Sequence, residues 1–588
     1  MLELLIQYAD EYGIISEPGF KAKDIKWLLI FDSLGNYIDL VEIGDTQAKN
    51  NKGREFQKCP DLSHPEMVSG LVTKSQFLAD TLDVVVLFST EKENKKLQNI
   101  QKKHEYFLML LEESKSILPE LEKVVLSLHN PDLLSQIQLR LEDKKAKSTE
   151  KVTIQIGDKI LLENANLLAW WKGYRNIQTN IQAKQVDDTK KMRCFATYKL
   201  VKPVKTHPKI GGLSSVGGLS MGDALISFDK AAFQSFGLEQ SENAAVSEEA
   251  AKIYSGALNH LIKKGIRYPG LEFIYWFKEK VALEDDPLSF ITENEEKQEL
   301  NANEKVKQLL LSIQSGIKPD LQGNNYYLLL LSGASGRIML RDWMEGQFES
   351  LVKNIDSWFE DLKIIARDGE SYINSPKLFS IYKSIVRDPK EVQKGLLQVD
   401  QIRILRSVLN DEEISLSLLA KALRFHTLSV IKNEGFYEIR LAIMKAYHIR
   451  KNKKEGEVNS MNVIKPEINE NHPNPAYQCG RLMAVLANLQ KSALGDVGAG
   501  VVQRYYASAS STPALVLGRL TRTSQYHLSK LDPGLAHWYE ELIGRIWSLL
   551  SDGIPTTLTL EEQSLFALGY YQQLVSKNIK SEKGETNG

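Results

Sequence analysis

Two stretches of the chain gather the residue types that hold a phosphate backbone. Residues 189–222 contain no acid and carry Lys190, Lys191, Arg193, Lys199, Lys202, Lys205 and Lys209, then run into Gly211-Gly212, Gly217-Gly218 and Gly222. Lysine supplies charge, and glycine lets backbone N–H groups come close to a ligand, so such a loop suits a clamp on nucleic acid. Arg519, Arg522, Tyr526 and Lys530 follow at steps of three, four and four, which places three cations and a ring on one helix face. With Arg504 they occupy an interval, from Asp496 to Asp532, that holds no acid between its ends. A phosphate backbone fits that face, with Tyr505 or Tyr526 for stacking; an ordinary solvated face shows the same pattern.

Smaller sets lie elsewhere. Lys49, Lys52, Arg54 and Lys58, against the single acid Glu55, form a basic loop, and Lys74 and Gln76 follow it. Lysine or arginine donating to guanine and glutamine pairing with adenine would read a major groove. A solvated surface loop carries the same residues. Arg337 and Arg341 are four apart and share one face of an expected strand.

Catalytic patterns are sparse. Gly218-Leu219-Ser220-Met221-Gly222 fits G-x-S-x-G, whose serine needs a strand before it and a helix after it. Here a glycine-serine loop precedes it, and 224–228 reads as a strand. There is no G-x-x-x-x-G-K-[ST] and no H-E-x-x-H, and the ten histidines are dispersed. Cys59, Cys194 and Cys479 form no C-x-x-C. The expectation is a non-catalytic chain with no metal and no cofactor.

The elements that must position these residues follow from periodicity. At 588 residues the chain is too long for one core. Its net charge of −1 means that nucleic-acid binding must come from local patches. Residues 26–31 and 37–43 read as strands joined by a turn, and 151–156, 271–277 and 326–331 as further strands. Residues 91–147 read as a helical hairpin on the sheet, and Trp170-Trp171 with Tyr174 as core or as a stacking surface. Residues 362–454 read as helical throughout. Asn474-Pro475 and Thr512-Pro513 are helix starts, with Leu482, Val485, Leu486 and Leu489 at helical spacing.

The fold class expected is an α+β N-terminal part, a mixed sheet with helical insertions, followed by an all-α C-terminal bundle. Its boundaries fall at 1–361, with an insertion at about 91–147, then a helical connector and linker at 362–460, then 461–588. The N-terminus lacks a basic n-region, and the apolar runs at 84–88 and 326–331 are too short to span a bilayer, so a cytoplasmic location is expected.

Longer phrases carry a resemblance. Asn474-Pro475-Ala476-Tyr477, Gly480-Arg481-Leu482, Ala493-Leu494-Gly495-Asp496, Arg504-Tyr505-Tyr506 and Gln563-Ser564-Leu565-Phe566-Ala567-Leu568-Gly569-Tyr570-Tyr571 resemble the Csd family, the large subunit of the type I-C CRISPR surveillance complex, Cascade. His207-Pro208-Lys209-Ile210-Gly211-Gly212 and Leu225-Ile226-Ser227-Phe228-Asp229 are similar to it too, with Asp229 where members usually have Asn and Phe236 where they have Tyr. The resemblance implies an N-terminal part that reads the protospacer-adjacent motif in duplex DNA, stabilisation of the R-loop, and recruitment of a helicase–nuclease. As partners it implies the crRNA-bound backbone and crRNA-processing subunits. It also implies small helical subunits matching the chain's own C-terminal domain, for which Met461 is a suitable internal start. The alternative is a nucleic-acid-processing enzyme, a nuclease with an unrecognised active site.

Overall fold

The computed structural model describes the chain apart from residues 15–16, 46–50, 63–65, 68–72, 184–190, 234–235, 293–301, 374, 436, 457–463, 496, 498–499, 551–552 and 577–588. Met461, Lys49 and Lys190 therefore lie outside the described residues. By packing, the chain forms two compact units, 1–264 with 333–339, and 265–332 with 340–588.

In the first unit β1 (Phe20–Ile25), β2 (Trp27–Phe31), β3 (Tyr37–Glu42), β4 (Arg54–Pro60), β5 (Ala79–Thr81), β6 (Lys151–Ile156) and β7 (Lys159–Ile160) follow in order. The main sheet runs β3-β2-β6-β5 with β7 on β6, while β1 pairs with β4. The β2–β3 hairpin is closed by Asp32, whose carboxylate accepts the Leu34 and Asn36 N–H groups at 2.9 and 2.8 Å. β2 and β6 are parallel, Trp27 facing Val152, so the chain must cross over between them. Within that crossover, between β5 and β6, lie three helices, Asn94–Glu113, Leu121–His129 and Pro131–Asp143. The expected two-helix hairpin is thus a three-helix unit, because Pro131 starts a helix of its own, with Asn130 accepting the Asp132 N–H at 3.0 Å. Their Leu110, Leu111, Val124, Leu128, Ile137 and Leu141 share one core with Leu29, Phe31 and Ile154 of the sheet. At about 1.5–3 kcal/mol for each fully buried large apolar side chain, that cover is what stabilises the sheet. Trp171 is fully buried core and donates to the Gly19 carbonyl at 2.8 Å, while half-buried Trp170 packs against that core and stacks on Tyr174.

Further along, β8 (Met192–Arg193) and β9 (Leu200–Val201) form a short antiparallel hairpin. Residues 224–228 do not form the expected strand: Ala224 makes an isolated bridge with Arg337, next to one of Asp223 with Ile210. Gly218–Gly222 is a turn closed by the buried Asp223 carboxylate, which accepts the Leu219 N–H at 3.1 Å. No helix follows it directly, so Ser220 is not on a nucleophile elbow.

The second unit opens with an antiparallel sheet, β10 (Ile266–Tyr268), β11 (Leu271–Phe277), β12 (Asn325–Ala334) and β13 (Arg337–Gln347), the tip 333–339 counting with the first unit. Leu328 and Leu330 on β12 and Phe273 on β11 are fully buried against the amphipathic helix Phe348–Leu362. The stretch expected to be helical from 362 is interrupted by a small strand pair, Ile364–Ile365 with Tyr372–Ile373. From Leu378 on, the described elements are all helical. Asn474 caps the helix Pro475–Leu494 by accepting the Ala476 N–H at 2.8 Å. Asp532 caps the helix Pro533–Ser548 by accepting the Leu535 N–H at 2.9 Å. Pro475–Leu494 packs backbone to backbone on Leu560–Val575: a Cβ on Gly480 would lie 2.0 Å from the Phe566 carbonyl oxygen. Buried Arg450 donates to Asp361 at 2.7 Å and to the Glu412 carbonyl at 2.9 Å, lying over the Trp358 ring. Among the described residues no helix is long and apolar enough to cross a membrane.

Candidate nucleic-acid interface

The clearest exposed set of cations belongs to the C-terminal helices. Helix Pro513–Leu528 turns Val516, Leu517, Leu520 and Leu528 into the core. Its 3.6-residue repeat then leaves Arg519, Arg522 and Tyr526 on the outer face, with Lys530 just beyond its end. Arg504 is exposed on the helix Val501–Ser511. None of these four cations has an ion-pair partner among the described residues. Tyr526 is 75 % exposed, whereas Tyr505 is half-buried against the core, so Tyr526 is the ring free to stack. Burial, with Lys530 nearby, holds His527 below the ordinary histidine range, so it stays neutral beside the cations near neutral pH.

The basic loop is more ordered than its composition suggests. Lys205 pairs with Glu239 at 2.9 Å, and that hydrogen bond, the largest cause, raises its pKa. Arg193, Lys199, Lys202 and Lys209 are exposed and have no ion-pair partner among the described residues. Gly217 and Gly218 lie against the protein's own backbone at Gly333. Gly217 has φ +94°, a left-handed conformation, and a Cβ on Gly333 would lie 2.1 Å from the Gly218 backbone. Three large apolar side chains of this loop face outward: Phe195, Tyr198 and Leu200 are 59 %, 61 % and 71 % exposed. Residue type alone assigns such groups to a core; the cations on either side were the available signal.

The N-terminal candidates are mostly engaged. Lys52 is exposed and has no partner among the described residues. Arg54 pairs with Glu163 at 2.6 Å and lies 4.7 Å over the Phe56 ring, and Lys58 pairs with Glu17 at 2.7 Å. Lys74 donates to the Glu66 carbonyl at 3.0 Å, and burial lowers its pKa. The Gln76 amide accepts the Leu62 N–H at 2.7 Å and donates to the Leu62 carbonyl at 3.4 Å, tying the loop together. Arg337 pairs with Asp229 at 3.0 Å, while Arg341 donates to the Ser332 hydroxyl at 2.7 Å. Among the described residues no three His, Cys, Asp or Glu gather where they would hold a metal ion.

A family model described as CRISPR-associated protein (Cas_Csd1) matches residues 5–576. The chain belongs to this Csd1 family. It is therefore a CRISPR-associated Cascade subunit. A comparison with curated proteins finds no match. Several phrases that carry the Csd1 resemblance prove to be packing residues. Arg481 is buried and donates to Gln573 at 2.8 Å and to the Glu470 carbonyl at 2.6 Å, and Tyr477 donates to Gln572 at 2.6 Å. They hold the two helices that frame the C-terminal bundle.

Proposed function

We propose that the chain is the non-catalytic large subunit of a type I-C Cascade. On this reading its N-terminal unit reads the protospacer-adjacent motif in duplex DNA. Its C-terminal helices hold the displaced strand, and the assembly with crRNA-bound subunits and small helical subunits recruits the helicase–nuclease. The observation that carries it is the row of exposed cations at Arg504, Arg519, Arg522 and Lys530, without ion-pair partners among the described residues, on a member of this family. Guide pairing supplies sequence specificity, so the protein needs only a short duplex motif and backbone contacts.

Charge reversal at Arg519 and Arg522 in the assembled complex is expected to collapse the R-loop, seen as loss of permanganate-reactive thymines on the displaced strand. Full reactivity in that variant would reduce the face to a solvated one. Lys202→Ala with Lys209→Ala is expected to lower the slope of log affinity against log salt by about two, one for each phosphate left without its lysine. Lys205→Ala should change it less, since that ammonium already has Glu239. Cleavage of labelled DNA by the chain with a divalent metal, abolished by one carboxylate substitution, would overturn the non-catalytic assignment.

A further inference from the structure

The β8–β9 hairpin holds apolar side chains outward in a way that packing does not require. Its frame is fixed: the Cys194 N–H donates to the Lys199 carbonyl, the Tyr198 N–H to the Cys194 carbonyl, both at 2.9 Å, and the Phe195 N–H to the Ala245 carbonyl at 2.8 Å. Cys194 and Ala196 are buried and anchor the loop, while Phe195, Tyr198 and Leu200 point away from the core. Tyr198 has φ +60°, a left-handed conformation that a bulky residue adopts only where the surroundings impose it. Its hydroxyl makes one long contact, to Glu3 at 3.4 Å, so the ring itself is uncommitted. Arg193, Lys199 and Lys202 flank the rings, exposed and with no ion-pair partner among the described residues.

We propose that this hairpin is a stacking platform for unpaired bases of single-stranded DNA, with Phe195 and Tyr198 against the base faces and Arg193, Lys199 and Lys202 along the phosphates. Rings interleaved with cations are the arrangement that grips a strand without reading its sequence. Duplex DNA keeps its base faces inside the stack, so the rings have a use only where strands are apart. A protein partner is the poorer fit, because the centres of protein interfaces are depleted in lysine. The inference rests on the reading above that the chain works on opened DNA.

The test uses the full chain, an oligothymidine strand and a duplex of equal length, with affinity measured across salt. Phe195→Ala with Tyr198→Ala is expected to weaken single-strand binding about tenfold or more, leaving the salt slope and duplex binding unchanged. Phe195→Leu with Tyr198→Leu keeps apolar bulk, guarding against a folding effect, and should lose the same affinity, whereas Tyr198→Phe should keep it. A 2-aminopurine base in the strand should be quenched by wild type and brighten with the double variant. Unchanged affinity, an equal loss on duplex, or a wild-type chain that does not bind the strand would each overturn the proposal. So would loss of Cascade assembly with single-strand binding intact, which would make the hairpin a protein interface. An assembled complex that opens no R-loop would instead sink the reading above, leaving the oligothymidine result to stand or fall alone.

Discussion

Gly480→Ala is expected to destabilise the C-terminal bundle by about 3 kcal/mol or more, while Gly518→Ala, the same change in the same unit, is expected to stabilise it by about 0.5–1 kcal/mol. Alanine is the better helix former at both positions, so intrinsic propensity predicts a gain in each case. The surroundings decide the sign. At Gly480 the new methyl would meet backbone only, 2.0 Å from the Phe566 oxygen and 2.8 Å from the Tyr570 nitrogen. At Gly569, on the facing helix, it would meet the Tyr477 oxygen at 2.1 Å. Backbone cannot rotate away as a side chain can, so the helices Pro475–Leu494 and Leu560–Val575 must separate. Separation stretches the Tyr477–Gln572 and Arg481–Gln573 hydrogen bonds, each buried and worth about 1 kcal/mol or more. It also opens voids beside Leu482 and Phe566, both fully buried. Gly518 and Gly544 have nothing within 4 Å of the added carbon. Urea unfolding of the full chain, followed by a probe in the bundle, measures the contrast. Equal shifts for Gly480→Ala and Gly518→Ala would show that the helices do not touch through their glycines.

The same region shows what a sequence makes legible. Asn474-Pro475 announces its helix because capping chemistry is local: Asn474 reaches a donor two residues on. The Asp32 turn of the β2–β3 hairpin is legible for the same reason. The parallel pairing of Trp27 with Val152 is not, since no short-range pattern encodes a partner across such a crossover. Residues 224–228 are apolar enough to read as a strand, but only Ala224 meets a bridge partner, so no ladder forms. The candidate interface divides along the same line. The face of Arg519, Arg522 and Tyr526 follows directly from helical spacing, and the structure leaves it exposed. Arg54, Lys58 and Gln76 look equally free in sequence, yet fold-dependent neighbours engage them: Glu163, Glu17 and the Leu62 backbone. Phe195 and Tyr198 are the converse case, core by type and exposed by position.

Acid should loosen the second unit well before carboxylates begin to protonate, with an expected loss of about 6 kcal/mol between pH 7 and pH 5. Three of its histidines are buried as neutral rings. His426 faces the Tyr506 hydroxyl at 3.2 Å, and burial, reinforced by Arg440, pushes its pKa down to about 3. His448 contacts the Ser564 hydroxyl at 2.6 Å, and that hydroxyl itself donates to the Glu561 carbonyl at 2.6 Å. The His448 Nε2 must therefore carry the proton in this bond, and burial lowers its pKa to about 4. His472 accepts the Asn474 N–H at 3.2 Å through Nδ1, and burial lowers it to about 4 as well. In the unfolded chain each returns to about 6.5, so as pH falls the unfolded state takes up protons that the folded state refuses. The stability is fully present above pH ~7 and is lost as pH falls from about 6.5 towards 4. Each ring loses about 1.4 kcal/mol per pH unit in that window, hence about 2 kcal/mol each by pH 5. Against a typical net stability of about 5–15 kcal/mol that is a large share. In the first unit burial pushes His207 to about 4 and also lowers His104 and His260, so that unit loses stability over the same range, with about 2 kcal/mol of it from His207. Limited proteolysis or hydrogen exchange across pH 7 to 5 separates the two units. His448→Gln, which keeps a donor towards Ser564 but cannot titrate, should flatten the pH slope by about a third. A second unit equally protected at both pH values would mean that these rings are not held neutral by burial.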